Sequence, residues 1–258
     1  MATDPGPEPS GLRFDVAAEP PVRARPTPAE RIVAFLEVLL CSDYPTQLAL
    51  GSVLVTSGFQ PMRPDGGLSL QYVAILSLVD TVLLVGLIVL FLRAHGEQPR
   101  IVLLGREPVG HEMRVGAGLI IAAFVIALVV LGAILRFLPQ LHTVENNPLK
   151  DLMRRPRDAA IFALVVVIAG GVREEIQRAF LLHRFERWLG GGTIGVVATS
   201  AAFGLGHLPQ GVDAAVATGV LGAFWGVVYL RRRSALAPVV SHSGFNLLQL
   251  VQFLIVGR

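Results

Sequence analysis

The sequence has a single cysteine, Cys41, and a single lysine, Lys150, and charged residues make up only 16% of its 258 positions. Soluble globular domains carry about 25% charge, so a surface solvated mainly by water is excluded. One cysteine rules out an internal disulfide and any cysteine-based zinc site. Cys41 lies in an apolar run, where it reads as a small buried hydrophobe. Aromatic residues are sparse at 7% and do not alternate with a basic stripe, so the net charge of +3 carries no signature of nucleic-acid binding. The N-terminal stretch lacks the pattern of a cleavable signal peptide. Residues 1–28 hold seven prolines and charges of both signs, a composition that cannot bury a core and predicts a disordered tail.

What the chain does have is apolar sequence: 53% hydrophobic residues and a mean hydropathy of +0.61. A membrane helix needs about 20 predominantly apolar residues. Seven candidate segments follow one another, at 32–59, 68–92, 115–138, 159–182, 193–208, 212–230 and 236–256. The expected fold is an all-α, polytopic transmembrane helical bundle of about seven spans. It divides into the tail (1–28), an N-terminal group of membrane helices (29–150) and a C-terminal core (151–258). With the N-terminus inside, thirteen Lys and Arg residues fall in cytoplasmic segments and six outside, which favours a cytoplasmic N-terminus. Gly222 and Gly226 form a GxxxG in the sixth segment, and Gly204 and Gly206 thin the fifth, as close helix packing in lipid requires. Gly190–Gly192 reads as a turn.

A charge at the bilayer centre costs about 2.5–3.5 kcal/mol or more, so ionisable residues inside spans need a reason. The fourth segment carries Arg173, Glu174, Glu175 and Arg178 directly after an apolar run. Glu174 and Arg178 are four apart and share a face, while Glu175 reaches Arg178 at three. Taken alone, this group also suits a helix end whose arginines snorkel to the headgroups. Two downstream sites weaken that reading: Phe203-Gly-Leu-Gly-His207 ends the fifth segment, and His242-Ser-Gly-Phe-Asn246 lies in the seventh. Counting 1.5 Å of rise per residue returns His207 to the level of Glu174 but leaves His242 about 10–15 Å short. Tilt, or a break at Pro238, must close that gap.

In this order, Glu-Glu-x-x-Arg, Phe-x-x-x-His and His-x-x-x-Asn resemble the CAAX prenyl protease and bacteriocin-processing family, also called CPBP or Abi. Residues Phe180–Phe185 and Ala235–His242 add to the likeness, which covers roughly 155–250. The family spacing is Glu-Glu-x-x-x-Arg, whereas here only Ile176 and Gln177 separate Glu175 from Arg178. Anchoring on Arg178 puts Arg173 and Glu174 at the double-glutamate positions; anchoring on the pair keeps Glu174 first. Both alignments leave a glutamate at 174, and Glu175 remains the other candidate. The resemblance implies hydrolysis of peptide bonds within or beside the bilayer. A glutamate would activate water, and His207, His242 and Asn246 would donate to the developing oxyanion. Arg178 would steady a glutamate, and Phe203 would support the site. Alternatively Glu174, His207 and His242 could bind zinc with an open fourth position. A metal-free glutamate mechanism is favoured over zinc because His-x-x-x-Asn lacks the paired histidines of a helical zinc protease.

Asp43, beside Pro45 in the first segment, and Asp80 in the second also suit an ion path, which keeps a transporter as a rival class. No inverted repeat between the halves supports it. A non-catalytic membrane scaffold is the third reading. The expected partners are the lipid bilayer and a membrane protein or lipidated peptide substrate, without nucleic acid. The expected location is a cell membrane, with short loops that suit a prokaryotic inner membrane.

Overall fold

The computed structural model describes residues 25–144 and 148–256, so the expected disordered tail lies almost wholly outside the described residues. Ten α-helices run in the order α1 (Pro28–Leu40), α2 (Tyr44–Thr56), α3 (Leu70–Ala94), α4 (Pro99–Leu104), α5 (Val109–Phe137), α6 (Pro156–Val167), α7 (Glu174–Trp188), α8 (Gly192–Gly206), α9 (Val212–Arg232) and α10 (Leu236–Val256). A π-helical segment, Ile168–Arg173, joins α6 to α7. Chain entry into α1 is set by a capping box: Thr27 accepts from the Glu30 backbone N–H, and the Glu30 carboxylate accepts from that of Thr27, with Pro28 at the first helical position.

Among the described residues, three helices are long and apolar enough to cross a membrane: α3, α5 taken together with α4, and α9. The number becomes four if α1 and α2, bent by 41° at their junction, are one broken span. The described residues therefore form an all-helical, membrane-type fold, in which not every one of the seven apolar segments is a long, unbroken helix. Two reasons are local. The first segment breaks at 41–43, where Asp43 adopts φ 78° and Pro45 follows in the first turn of α2; proline cannot continue the preceding hydrogen-bond ladder. Helix α8 has only 15 residues, about 22 Å of rise against a hydrocarbon core of about 30 Å.

Small residues bring the helices into close contact. A Cβ on Gly204 of α8 would stand 2.7 Å from the Ala215 carbonyl of α9, so α8 and α9 touch backbone to backbone. At the π segment, a Cβ on Gly171 would stand 1.9 Å from Ser243 Oγ of α10. The outward face of α5 leaves Ile121, Val125, Leu128 and Val129 exposed, as a lipid-facing surface requires.

One end of the bundle is tied by an ion network around the buried Arg184. Its guanidinium donates to Glu37 of α1 at 2.6 Å and to Glu97 of the α3–α4 loop at 2.5 Å. His95 bonds Glu37 and His183 bonds Glu97, each at 2.7 Å, and Arg187 also pairs with Glu97. Burial acts to raise the pKa of Glu97, but the bonds from His183 and Arg184 outweigh it and hold the carboxyl down at about 2.

Two predictions follow from this packing. Gly171→Ala forces the π segment and α10 apart and lowers the detergent melting temperature, a destabilisation of about 1–3 kcal/mol. Gly118→Ala on α5, where a Cβ meets nothing within 4 Å, leaves it unchanged or slightly raised. Because the folded-state pKa of Glu97 lies below its ordinary 4.5, its stabilisation is complete above that value and is lost as pH falls towards 2. Thermal melts across that window fall for the native chain, and less steeply for Glu97→Gln.

Candidate active site

The site begins with the π segment. Its two glycines, Gly170 and Gly171, carry no side chains that would block α10. Asn246 of α10 donates its Nδ2 to the Val166 carbonyl in the last turn of α6, at 3.3 Å. The segment delivers Arg173, Glu174 and Glu175 in succession to three different surroundings.

Glu175 turns inward and is 1% exposed. Its Oε1 accepts from Arg178 one turn along α7 and from His242 Nδ1 at 2.8 Å. His242 is held flat against the Trp225 ring, with centroids 3.9 Å apart and planes 16° off parallel. Trp225 is fixed in turn by donating Nε1–H to Ser241 Oγ at 3.1 Å. The Arg178 guanidinium lies over Phe203, 4.6 Å from the ring centroid. The second glutamate is thus enclosed by an arginine, a histidine and two aromatic rings.

Glu174 turns the other way, into a cavity of about 340 Å³. Arg173, Arg178, Phe203 and His207 share that lining with Asp43 and Tyr44 of the α1–α2 elbow. Its Oε2 is 3.9 Å from His242 Nε2 and its Oε1 is 3.8 Å from Arg173, both beyond hydrogen-bond length. The carboxylate is therefore steered by charge while its lone pairs face the cavity. His207 caps α8, and its Nδ1–H donates to the Phe203 carbonyl at 2.8 Å. In the neutral ring this leaves Nε2 as an acceptor, so His207 donates from Nε2 only as imidazolium. Phe203 presents its ring to both imidazoles, at 4.8 Å from His207 and 6.1 Å from His242.

The structure brings Glu174, Arg178, Phe203 and His207 to one cavity. Glu175 and His242 sit behind its wall, and Asn246 faces backbone. The helix-rise shortfall for His242 is closed without a break at Pro238: α10 is continuous and lies along α5 and against the π segment more than along α7. Three sequence-proposed zinc ligands, Glu174, His207 and His242, do not make a cation site as placed. Among the described residues no group of three His, Cys, Asp or Glu side chains could hold a metal ion.

Sequence reasoning missed two contributors. Trp225 is the plate on which His242 rests. Arg173 is a buried hub that donates to Asp80 Oδ2 at 2.8 Å and pairs with Asp43 Oδ2 at 3.1 Å. The available signal was Asp80 itself, since a carboxylate inside an apolar helix calls for a cationic partner. In the structure the two aspartates of the transporter reading are both bound to that one arginine.

Residues 156–248 match the family described as type II CAAX prenyl endopeptidase, Rce1-like. No curated protein and no solved structure matches the chain. The matched stretch coincides with the one in which the sequence motifs resemble CAAX proteases, and it covers α6 through most of α10. It supports a membrane protease of the CAAX type in general.

Proposed function

Taking residues 156–248 as a member of the CAAX prenyl endopeptidase family, we propose that the chain is an intramembrane endopeptidase in which Glu174 activates water. The observation that carries this reading is the asymmetry between neighbouring glutamates. Glu174 opens onto the cavity with its oxygens unbonded, whereas Glu175 is locked by Arg178 and His242. A carboxylate with free lone pairs can take the proton of an attacking water and return it to the leaving amine. The negative charge that develops on the scissile carbonyl oxygen is met by cationic groups of the same lining, Arg178 and the imidazolium form of His207. Glu175 orients His242, which flanks Glu174 from the other side, and Asn246 braces the turn that presents the pair.

The substrate is a membrane-associated protein or lipidated peptide. Its scissile segment enters between α2 and α8, whose cavity-lining residues include Tyr44, Gln47, Ala198 and Ala202. The apolar side chains of Leu48, Val197 and Leu205 stand exposed on the same two helices, a surface compatible with a substrate anchor in lipid. No step of this mechanism passes through a metal.

Two quenched-fluorescence peptides in proteoliposomes test the reading, one bearing a prenylated cysteine and one a plain apolar anchor. Glu174→Gln lowers kcat by about 10²–10⁴-fold with a melting temperature close to that of the native chain. Glu175→Gln instead lowers the melting temperature, because it leaves Arg178 buried beside a neutral partner. Full cleavage of both peptides by Glu174→Gln overturns the proposal.

A further inference from the structure

The family match begins at residue 156, yet the two aspartates that bind Arg173, Asp43 and Asp80, come from outside it. Asp80 lies in the middle of α3 and is completely buried; Asp43 sits at the elbow between α1 and α2 in a backbone conformation, φ 78° and ψ −33°, that non-glycine residues rarely adopt. Both bind the guanidinium of Arg173, through separate nitrogens. Arg173 is the last residue of the π segment and directly precedes Glu174. A π turn holds one residue more than an α turn, so its relaxation to α geometry would rotate the residues that follow by about 100°. Such a rotation would carry Glu174 off the cavity wall.

We propose that Asp80 and Asp43 are positioning residues that act through Arg173, pinning the π segment so that Glu174 faces the cavity. The inference rests on the reading of Glu174 as the base. The pin is anchored on two independent elements: α3 supplies a rigid, fully buried carboxylate, and the α1–α2 elbow supplies a second, partly open to the cavity. The elbow is itself held onto the same helix by Gln177, which donates to the Cys41 carbonyl at 2.8 Å. The N-terminal helices thereby reach the reacting group through a single side chain. Arg173 is held 3.8 Å from Glu174, so it biases the carboxylate without forming a hydrogen bond that would occupy its lone pairs.

The test separates position from fold. Arg173→Gln strands Asp80 and Asp43, and Asp80→Asn removes the fully buried partner of Arg173 and leaves it Asp43, so each lowers both the melting temperature and the cleavage rate. The double variant removes both partners of the Asp80–Arg173 pair, and neutral replacement of a buried pair is commonly tolerated. Its melting temperature rises above that of Arg173→Gln, because only the cavity-lining Asp43 is left without its arginine, while kcat on the proteoliposome peptides stays about 10–100-fold below native with KM within about twofold, the signature of a misplaced reacting group. Arg173→Lys, which keeps the bond to Asp80, retains more activity than Arg173→Gln. A double variant that cleaves at the native kcat overturns the inference, as do single variants with native rates. In either case an inactive Glu174→Gln still supports the base assignment, whereas an active one removes that assignment itself.

Discussion

The structure depends on the neutralisation of charge inside an apolar bundle. Arg173 and Arg178 are 5% and 4% exposed, and between them they engage Asp43, Asp80, Glu174 and Glu175. Each of these ions would be prohibitive alone in a low-dielectric interior. Breaking one buried pair typically costs about 3–5 kcal/mol. The pairs therefore act as registers: they fix how deep α3 sits against the π segment and how α7 is rotated about its axis.

That rotational constraint matters because adjacent residues on a helix point about 100° apart. The π segment uses the angle to give two neighbouring glutamates opposite fates, one enclosed by Arg178, His242 and Trp225, the other open to a cavity. Glycines at 170 and 171 make this affordable in space, since α10 presses Ser243 and Asn246 into the room they leave. A carboxylate open to the cavity and an enclosed one thus emerge from a single dipeptide. The same contact explains why Asn246, whose motif suggests an oxyanion donor, is turned towards the Val166 carbonyl instead.

The N-terminal helices close this arrangement from two sides. At one end, Arg184 gathers Glu37 and Glu97, so α1 and the α3–α4 loop are fastened to α7. Nearer the cavity, the elbow at Asp43 lines the opening and reaches Arg173. A family likeness confined to 156–248 therefore describes the half that carries the motifs, while much of their enclosure comes from helices beyond it.

Much of this was legible in the residues alone. The scarcity of charge and the long apolar runs determined a membrane-type helical chain, and the segments over α3, α9 and α10 lie within two residues of the helices observed. Glu174, His207 and His242 stood out because ionisable groups in such runs are costly, and their order carried the family resemblance. What the linear pattern could not decide was direction. Periodicity assumes an unbroken helix, so it could not foresee the π segment that precedes Glu174 and sets which glutamate faces the cavity, nor the elbow at Asp43 that splits the first segment. It could not pair Asp80 with Arg173 either, because that bond joins positions 93 residues apart. Composition determined that charges would be buried; only the packing of helices from both halves decided which charge meets which, because partners in a low-dielectric interior are chosen by proximity in space.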